Sequence, residues 1–337
     1  MSRRHDSRSD EDDIRVRPSR RGSRPRTRTR PTHADAVPGL VVAVDRGRMT
    51  VRVDGPDGPV DVTTMRAREL GRHGVVVGDR VRVVGETTGR TDSLARIVAI
   101  EERSTSLRRT ADDTDPTERI VVANADLLVV VTAVTDPEPA LGFLDRCLVA
   151  AYAGGLEPLL CLTKTDLGSP QPLLDRYAGL GLDAVALSRE APVEPLIDRL
   201  LDRMSVFVGQ SGVGKSTLVN RLVPDAFRAT GIVSKIGKGR HTSSSAVLFD
   251  LPGGGTVIDT PGIRSFGLAH VTADDVLAAF DEIAEAAVDC PPGCGHTDAD
   301  PECALDAWAA AGPPARRQQL AGLRVLLAAV GQVGPGY

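Results

Sequence analysis

The run Gly209-Gln210-Ser211-Gly212-Val213-Gly214-Lys215-Ser216-Thr217 fixes the local architecture around it. A GxxxxGK[ST] loop wraps phosphate oxygens with backbone N–H groups and sits between a strand and a helix. Both flanks are present: apolar residues 204–208 read as a buried strand, and residues 215–223 as the helix that follows. That helix N-terminus adds partial positive charge to the anion site. Lys215 would reach the β- and γ-phosphates of a nucleoside triphosphate, and the Ser216 hydroxyl would ligate Mg²⁺. The alternative is a plain Gly-rich turn before a helix, which the coincidence of all the fixed positions disfavours.

The loop opens late in the chain. Upstream, residues 125–134 form a continuous apolar strand, 142–153 a helix, 157–162 a strand, 172–180 a helix, 183–187 a strand and 195–203 a helix. This alternation predicts an α/β domain with a mostly parallel sheet. Residues 246–251 and 256–258 add two strands, as a hairpin or adjacent edge pair, and 274–288 and 315–330 read as helices. Before the α/β region, five short β-type runs between residues 38 and 101 are separated by Gly, Asp and Pro turns, which predicts a small barrel of the OB-fold kind. Such a barrel holds RNA, or simply packs on its neighbour. Its lack of aromatic residues favours recognition of shape and backbone over base stacking. Residues 103–119 read as a polar linker.

Charge is uneven. The whole chain carries −4, but residues 1–33 hold 11 Arg against 5 acids. Such a segment buries too little apolar area to fold, so residues 1–36 are expected to be a disordered arm, either for RNA phosphates or simply solvated. No apolar stretch approaches a membrane span and the charged N-terminus has no apolar signal core, so the expectation is a cytoplasmic protein without membrane contact. Of five cysteines, Cys147 and Cys161 sit in apolar runs as core residues. Cys290, Cys294, His296 and Cys303 give C-x₃-C-x-H-x₆-C, the donor set of a closed structural Zn²⁺ site. The other reading is free thiols beside a chance histidine.

Three further motifs bear on the phosphate loop. Asp259-Thr260-Pro261-Gly262 follows a strand 44 residues after Lys215, where the Asp can hold Mg²⁺ and the Gly N–H can meet the γ-phosphate. Between the two lies Gly237-Lys238-Gly239-Arg240-His241-Thr242-Ser243-Ser244, a hydroxyl-rich stretch suited to a switch loop, or to an ordinary polar surface loop. Upstream, Thr163-Lys164-Thr165-Asp166 ends a strand. Its Asp carboxylate can accept both guanine N1–H and the exocyclic amine, the Lys stem can cover the base, and Ser188 ends the next strand in a position to back it. The base-reading loops thus precede the phosphate loop, the reverse of the usual order. A ligand sees the arrangement of loops at the strand ends rather than their order in the chain, so this reads as a circular permutation.

These motifs, with Gly78-Asp79-Arg80-Val81, Arg103-Ser104-Thr105-Ser106-Leu107-Arg108-Arg109 and Ile120-Val121-Val122-Ala123-Asn124-Ala125-Asp126, resemble the RsgA (YjeQ) family of circularly permuted GTPases over most of the chain outside the tail. The resemblance implies an OB-fold at about 37–104, a GTPase domain at 105–272 and a zinc-binding, α-rich domain at 273–337. It also implies a factor, expected as a monomer, that binds the 30S ribosomal subunit and its rRNA during late maturation. Subunit-stimulated GTP hydrolysis is then coupled to release of the factor. Ile263 stands where Ras-like enzymes carry a water-orienting Gln, so another group must orient the water. His241 is one candidate, contact with rRNA or solvent its alternative, and Thr242 or a neighbouring hydroxyl would join Lys215 and the metal at the γ-phosphate. The chain departs from the family pattern in three places: Thr163 replaces an Asn, Thr-Ser-Ser replaces Thr-Thr-Thr after His241, and one residue has moved between the gaps of the zinc motif. Two rival readings are an RNA-binding scaffold that uses GTP only as a conformational ligand and a P-loop ATPase or small-molecule kinase.

Overall fold

The computed structural model describes residues 33–45, 47–71, 74–90, 94–110, 118–224, 246–260 and 267–331. Five strands close a barrel: β1 (Val37–Asp45), β2 (Arg48–Gly55), β3 (Gly58–Arg66), β4 (Arg80–Val84) and β5 (Ala95–Ile100). Their order is β1-β2-β3-β5-β4, and β4 returns to pair with β1. Alternation drives closure, since Met49, Val51 and Val53 of β2 point inward with Val62, Val81, Val83 and Ile97 while the intervening side chains face out. This is the barrel expected from the turn spacing.

The nucleotide sheet runs β10 (Asp183–Ala186), β9 (Glu157–Thr163), β8 (Leu127–Ala133), β11 (Met204–Gly209), β13 (Thr256–Asp259), β12 (Val247–Asp250). Every neighbouring pair is parallel except β12–β13, the antiparallel pair expected at this edge. β8 is buried along its whole length, as a central parallel strand with helices on both faces should be. One face carries α1 (Leu141–Ala153) and α2 (Gln171–Tyr177), the other α3 (Glu194–Leu200) and α4 (Lys215–Leu222). The barrel is joined to this sheet through backbone pairing of β1 with β12 at Ala43 and Val247. Arg52 of β2 reinforces that edge by gripping Asp250 at 2.8 and 2.9 Å.

Two expectations need correction, and one helix is additional. The segment read as a polar linker contains β6 (Ser106–Arg109), which pairs antiparallel with β7 (Arg119–Ala123). Leu107 and Val122 bury completely, while Arg108 reaches Glu118 at 2.8 Å, so charged residues edge a hairpin with an apolar face. Residues 274–288 form two helices, α5 (Ala273–Leu277) and α6 (Asp281–Ala287). The break falls where Phe280 turns inward to stack on Tyr152, with ring centroids 4.9 Å apart. A further helix, α7 (Ala304–Ala311), precedes α8 (Pro314–Gly331). Helices α5 to α8 share one apolar cluster with α1 through Leu144, Leu148, Val276, Ile283, Leu305 and Leu323.

Among the described residues, no helix is long and apolar enough to cross a membrane. The Arg-rich arm lies outside the described residues, apart from its last positions.

A polar joint holds the barrel against the hairpin. Asp79, fully buried, accepts from Arg103 Nε at 2.6 Å and Nη2 at 2.9 Å and from the Val76 N–H at 2.8 Å. Asn124 donates to the Gly78 carbonyl at 2.9 Å and accepts from the Ser104 N–H at 2.9 Å.

Candidate nucleotide-binding and metal sites

The phosphate loop emerges from the carboxyl end of β11 and runs into α4, as its flanks dictate. Two glycines are required by geometry. Gly214 caps the helix at φ 91°, a conformation costly for any L side chain. A Cβ on Gly209 would lie 2.6 Å from the Val131 carbonyl oxygen on the adjacent strand β8. Lys215 leaves the first turn of α4 with its side chain only 11 % exposed, and its ammonium is hydrogen-bonded to the Asp259 carboxylate at the end of β13. The cation expected at the phosphates and the carboxylate expected at the metal therefore share the mouth of the loop. Next to Asp259, Thr260 is buried and donates to the Phe207 carbonyl at 2.7 Å, which ties the ends of β13 and β11 together. Ser216 and Thr217 are exposed at the start of the helix.

The segment expected to read the base lies beside this loop. Thr163, the last residue of β9, is buried and its hydroxyl lies 2.6 Å from the Val213 carbonyl inside the phosphate loop. The contact between the two loops that an Asn amide would make is thus supplied by a hydroxyl. Lys164 adopts φ 57° and donates to the Asp136 carbonyl, while the Thr165 N–H donates to the Leu187 carbonyl at 3.3 Å. Asp166 is exposed in the turn that follows. Ser188, after β10, accepts from the Ala191 N–H at 3.1 Å and so rounds off its own loop.

A cavity of about 320 Å³ lies between these loops, lined by Thr163, Lys164, Ser188, Gly212, Gly214 and Thr217 among the expected residues. Asp166 is not among its lining residues. Leu187, Arg189, Leu218 and Arg221 complete the wall. No motif in the sequence marks these four, although Arg221 sits four residues after Thr217 and therefore on the same face of α4, a spacing that points to it. A larger groove of about 680 Å³ lies along α7 and α8, and no phosphate-loop residue lines it. His241, Thr242, Gly262 and Ile263 fall outside the described residues.

The cysteine–histidine motif comes together in space. The donor atoms of Cys290, Cys294, His296 and Cys303 lie within 4.8 Å of one another. Cys290 Sγ is 3.5 Å from His296 Nδ1 and 3.9 Å from Cys303 Sγ, and Cys303 Sγ is 3.8 Å from the same ring nitrogen. Tetrahedral zinc with Zn–S of about 2.3 Å and Zn–N of about 2.0 Å sets ligand separations of roughly 3.5–3.8 Å. The donor set fits one zinc ion, and the shifted spacing does not prevent closure. The cluster is braced from outside. Ala304 N–H reaches Cys290 Sγ at 3.3 Å, and Arg324 of α8 donates to the His296 carbonyl at 3.2 Å while pairing with Asp298 and Asp306. Burial, with the neighbouring thiols, pushes the Cys303 thiol up to about 11 without a metal.

Known proteins share this architecture. A family model described as RsgA GTPase matches residues 100–269. The small ribosomal subunit biogenesis GTPase RsgA of Pseudomonas fluorescens (strain SBW25) is 43% identical over 241 residues, 68% of each chain. The protein of the same name from Pseudomonas syringae pv. syringae (strain B728a) is 40% identical over 278 residues, 79% of this chain and 78% of its own. Among solved structures, YjeQ from Thermotoga maritima superposes with a TM-score of 0.63 at 26% identity, covering 88% of this chain and 99% of that one. YloQ, described as a circularly permuted GTPase, shares the fold at TM-score 0.60 and 24% identity, over 91% of this chain and 99% of its own. The permuted order of the loops agrees with the description of YloQ, and the chain belongs to the RsgA GTPase family.

Proposed function

We propose that this chain is a cytoplasmic GTP hydrolase that binds the 30S ribosomal subunit and its rRNA during late maturation. The subunit stimulates hydrolysis, and hydrolysis releases the factor. The observation that carries the reading is the meeting of Lys215 and Asp259 at the mouth of a phosphate loop whose neighbouring cavity is walled by Thr163, Lys164 and Ser188. Family membership and the names of the relatives support the small-subunit partner.

In this reading the backbone of residues 209–214 cradles the phosphates and Lys215 offsets charge on the β- and γ-oxygens. Ser216 and Asp259, with a switch hydroxyl such as Thr242, would hold Mg²⁺, which would supply positive charge beside the phosphoryl oxygens. The carboxylate of Asp166 closes over the guanine edge from its exposed turn, and Lys164 covers the ring. His241 orients the attacking water in place of Ile263, and the Gly262 N–H meets the γ-phosphate. One zinc held by Cys290, Cys294, His296 and Cys303 stabilises the segment between α6 and α7, too rich in Pro and Gly to hold itself by apolar burial.

We assign residues 37–104 to the RNA-binding barrel, 105–272 to the GTPase and 273–337 to the zinc-binding region, acting as a monomer. GTP turnover measured with and without purified small subunits tests the whole reading. A rise on adding subunits is expected, and unchanged turnover rejects it.

A further inference from the structure

The cavity wall contains an arginine to which the GTPase reading gives no task. Arg221 lies on α4, the helix that begins at Lys215, on the face that also presents Thr217 and Leu218 to the cavity. Its Nη2 donates to the carbonyl of Ala191, in the loop that follows β10. The N–H of the same residue donates to Ser188 Oγ. Both backbone groups of Ala191 are thus held, its N–H by the loop's own serine and its carbonyl by the phosphate-loop helix.

These contacts close a ring around the cavity. Val213 in the phosphate loop is bound by Thr163, and Leu187 accepts from Thr165 while donating to Leu162 at 2.7 Å. Ser188 and Ala191 follow, and Arg221 returns the circuit to α4. The β-ladder fixes the start of the 188–191 loop and buried Leu196 of α3 anchors the chain beyond it, so Arg221 sets the stretch between. A loop on one side of a base pocket reads the base through its backbone N–H groups, and that reading is only as sharp as the loop is fixed.

We propose that Arg221 is a positioning residue for base selection, holding the 188–191 loop so that its backbone N–H groups accept a base with a carbonyl acceptor at C6 and reject one with an amine there. The inference rests on the nucleotide site proposed above. Among the described residues the guanidinium uses one nitrogen, on an uncharged carbonyl, so a lysine ammonium can replace it, whereas alanine leaves the loop without its clamp.

Full-length native chain, Arg221→Ala, Arg221→Lys and Ser188→Ala proteins are titrated with mant-GDP and mant-ADP. Arg221→Ala should bind mant-GDP about tenfold more weakly, equivalent to about 1.4 kcal/mol. Its preference for mant-GDP over mant-ADP should narrow about fivefold or more, because loss of a charge-assisted clamp acts on the base-reading loop. Arg221→Lys should restore most of that preference. A purely structural role would lower thermal stability and weaken both nucleotides equally, and that result overturns the proposal, as does native-like mant-GDP binding by Arg221→Ala. Should Arg221→Ala fail to fold, Ser188→Ala must narrow the same preference, and an unchanged ratio overturns the idea. A native chain that binds no mant-GDP, or a Lys215→Ala protein that binds it as tightly as the native chain, rejects the site reading itself.

Discussion

Replacing Arg103 by alanine should loosen the barrel from the hairpin far more than a surface arginine would. Asp79 has no exposed side-chain area, and among the described residues its carboxylate takes two of its three hydrogen bonds from that guanidinium. Arg103→Ala leaves the carboxylate buried with one backbone N–H for company. Removing one member of a buried pair costs about 3–5 kcal/mol, and a guanidinium already one-fifth exposed places this case at about 3. The further bond from Nη2 to the Gly74 carbonyl is exposed and adds little. A cost of about 3 kcal/mol raises the population of locally opened barrel roughly a hundredfold.

The assay should be amide hydrogen exchange at Val81 and Val83 of β4. The chain's single tryptophan, Trp308, sits on α7 and its fluorescence reports on the C-terminal helices instead. Adding Asp79→Asn to Arg103→Ala should recover at least about 1 kcal/mol, because a neutral amide tolerates burial that a lone charge does not. Exchange accelerated by less than about fivefold, or an Asp79→Asn addition that only worsens it, would refute the claim that a buried charge pair carries this joint.

Thr163→Val keeps the shape of the side chain and removes the donor to Val213, so mant-GDP binding should weaken by about 1 kcal/mol. Equal affinity would mean that the hydroxyl does not hold the loop. Cys303→Ser should drop the zinc content measured by metal analysis from one ion per chain towards none and lower the thermal midpoint; a full zinc complement would reject the four-residue site. Thr272→Ala removes the cap of α5, where Thr272 and Asp275 bond reciprocally, and should cost about 1 kcal/mol in chemical denaturation. Asp275 is held below the usual carboxylate range by the Thr272 N–H and then its hydroxyl. Its contribution is therefore present above that range and lost as pH falls through its folded value, so native and Thr272→Ala proteins should converge in acid.

Periodicity and turn chemistry made most of the fold legible. The barrel strands alternate, the parallel strands are continuous apolar runs, and the phosphate loop announces its own strand and helix. What failed to show depends on distant partners. Ser106–Arg109 reads as polar because its arginines dominate, and only the position of Val122 across the ladder explains why Leu107 is buried. The break between α5 and α6 depends on Tyr152, far back on α1, offering a ring to Phe280. Thr163 looked like the loss of an amide, since its partner lies 50 residues away. Arg221 is hidden for the complementary reason: it lies one turn beyond Thr217, where the phosphate-loop motif ends, and its partner Ala191 is 30 residues away.

The pairing of β1 with β12 has a mechanical meaning. β12 begins two residues after the segment that carries His241 and Thr242, and it is laddered to β13, whose last residue is Asp259. Whatever grips the barrel therefore grips a body that is paired, backbone to backbone, with an edge of the nucleotide sheet. The barrel becomes a handle on the sheet, and a surface docked on it meets the strand pair that ends at Asp259.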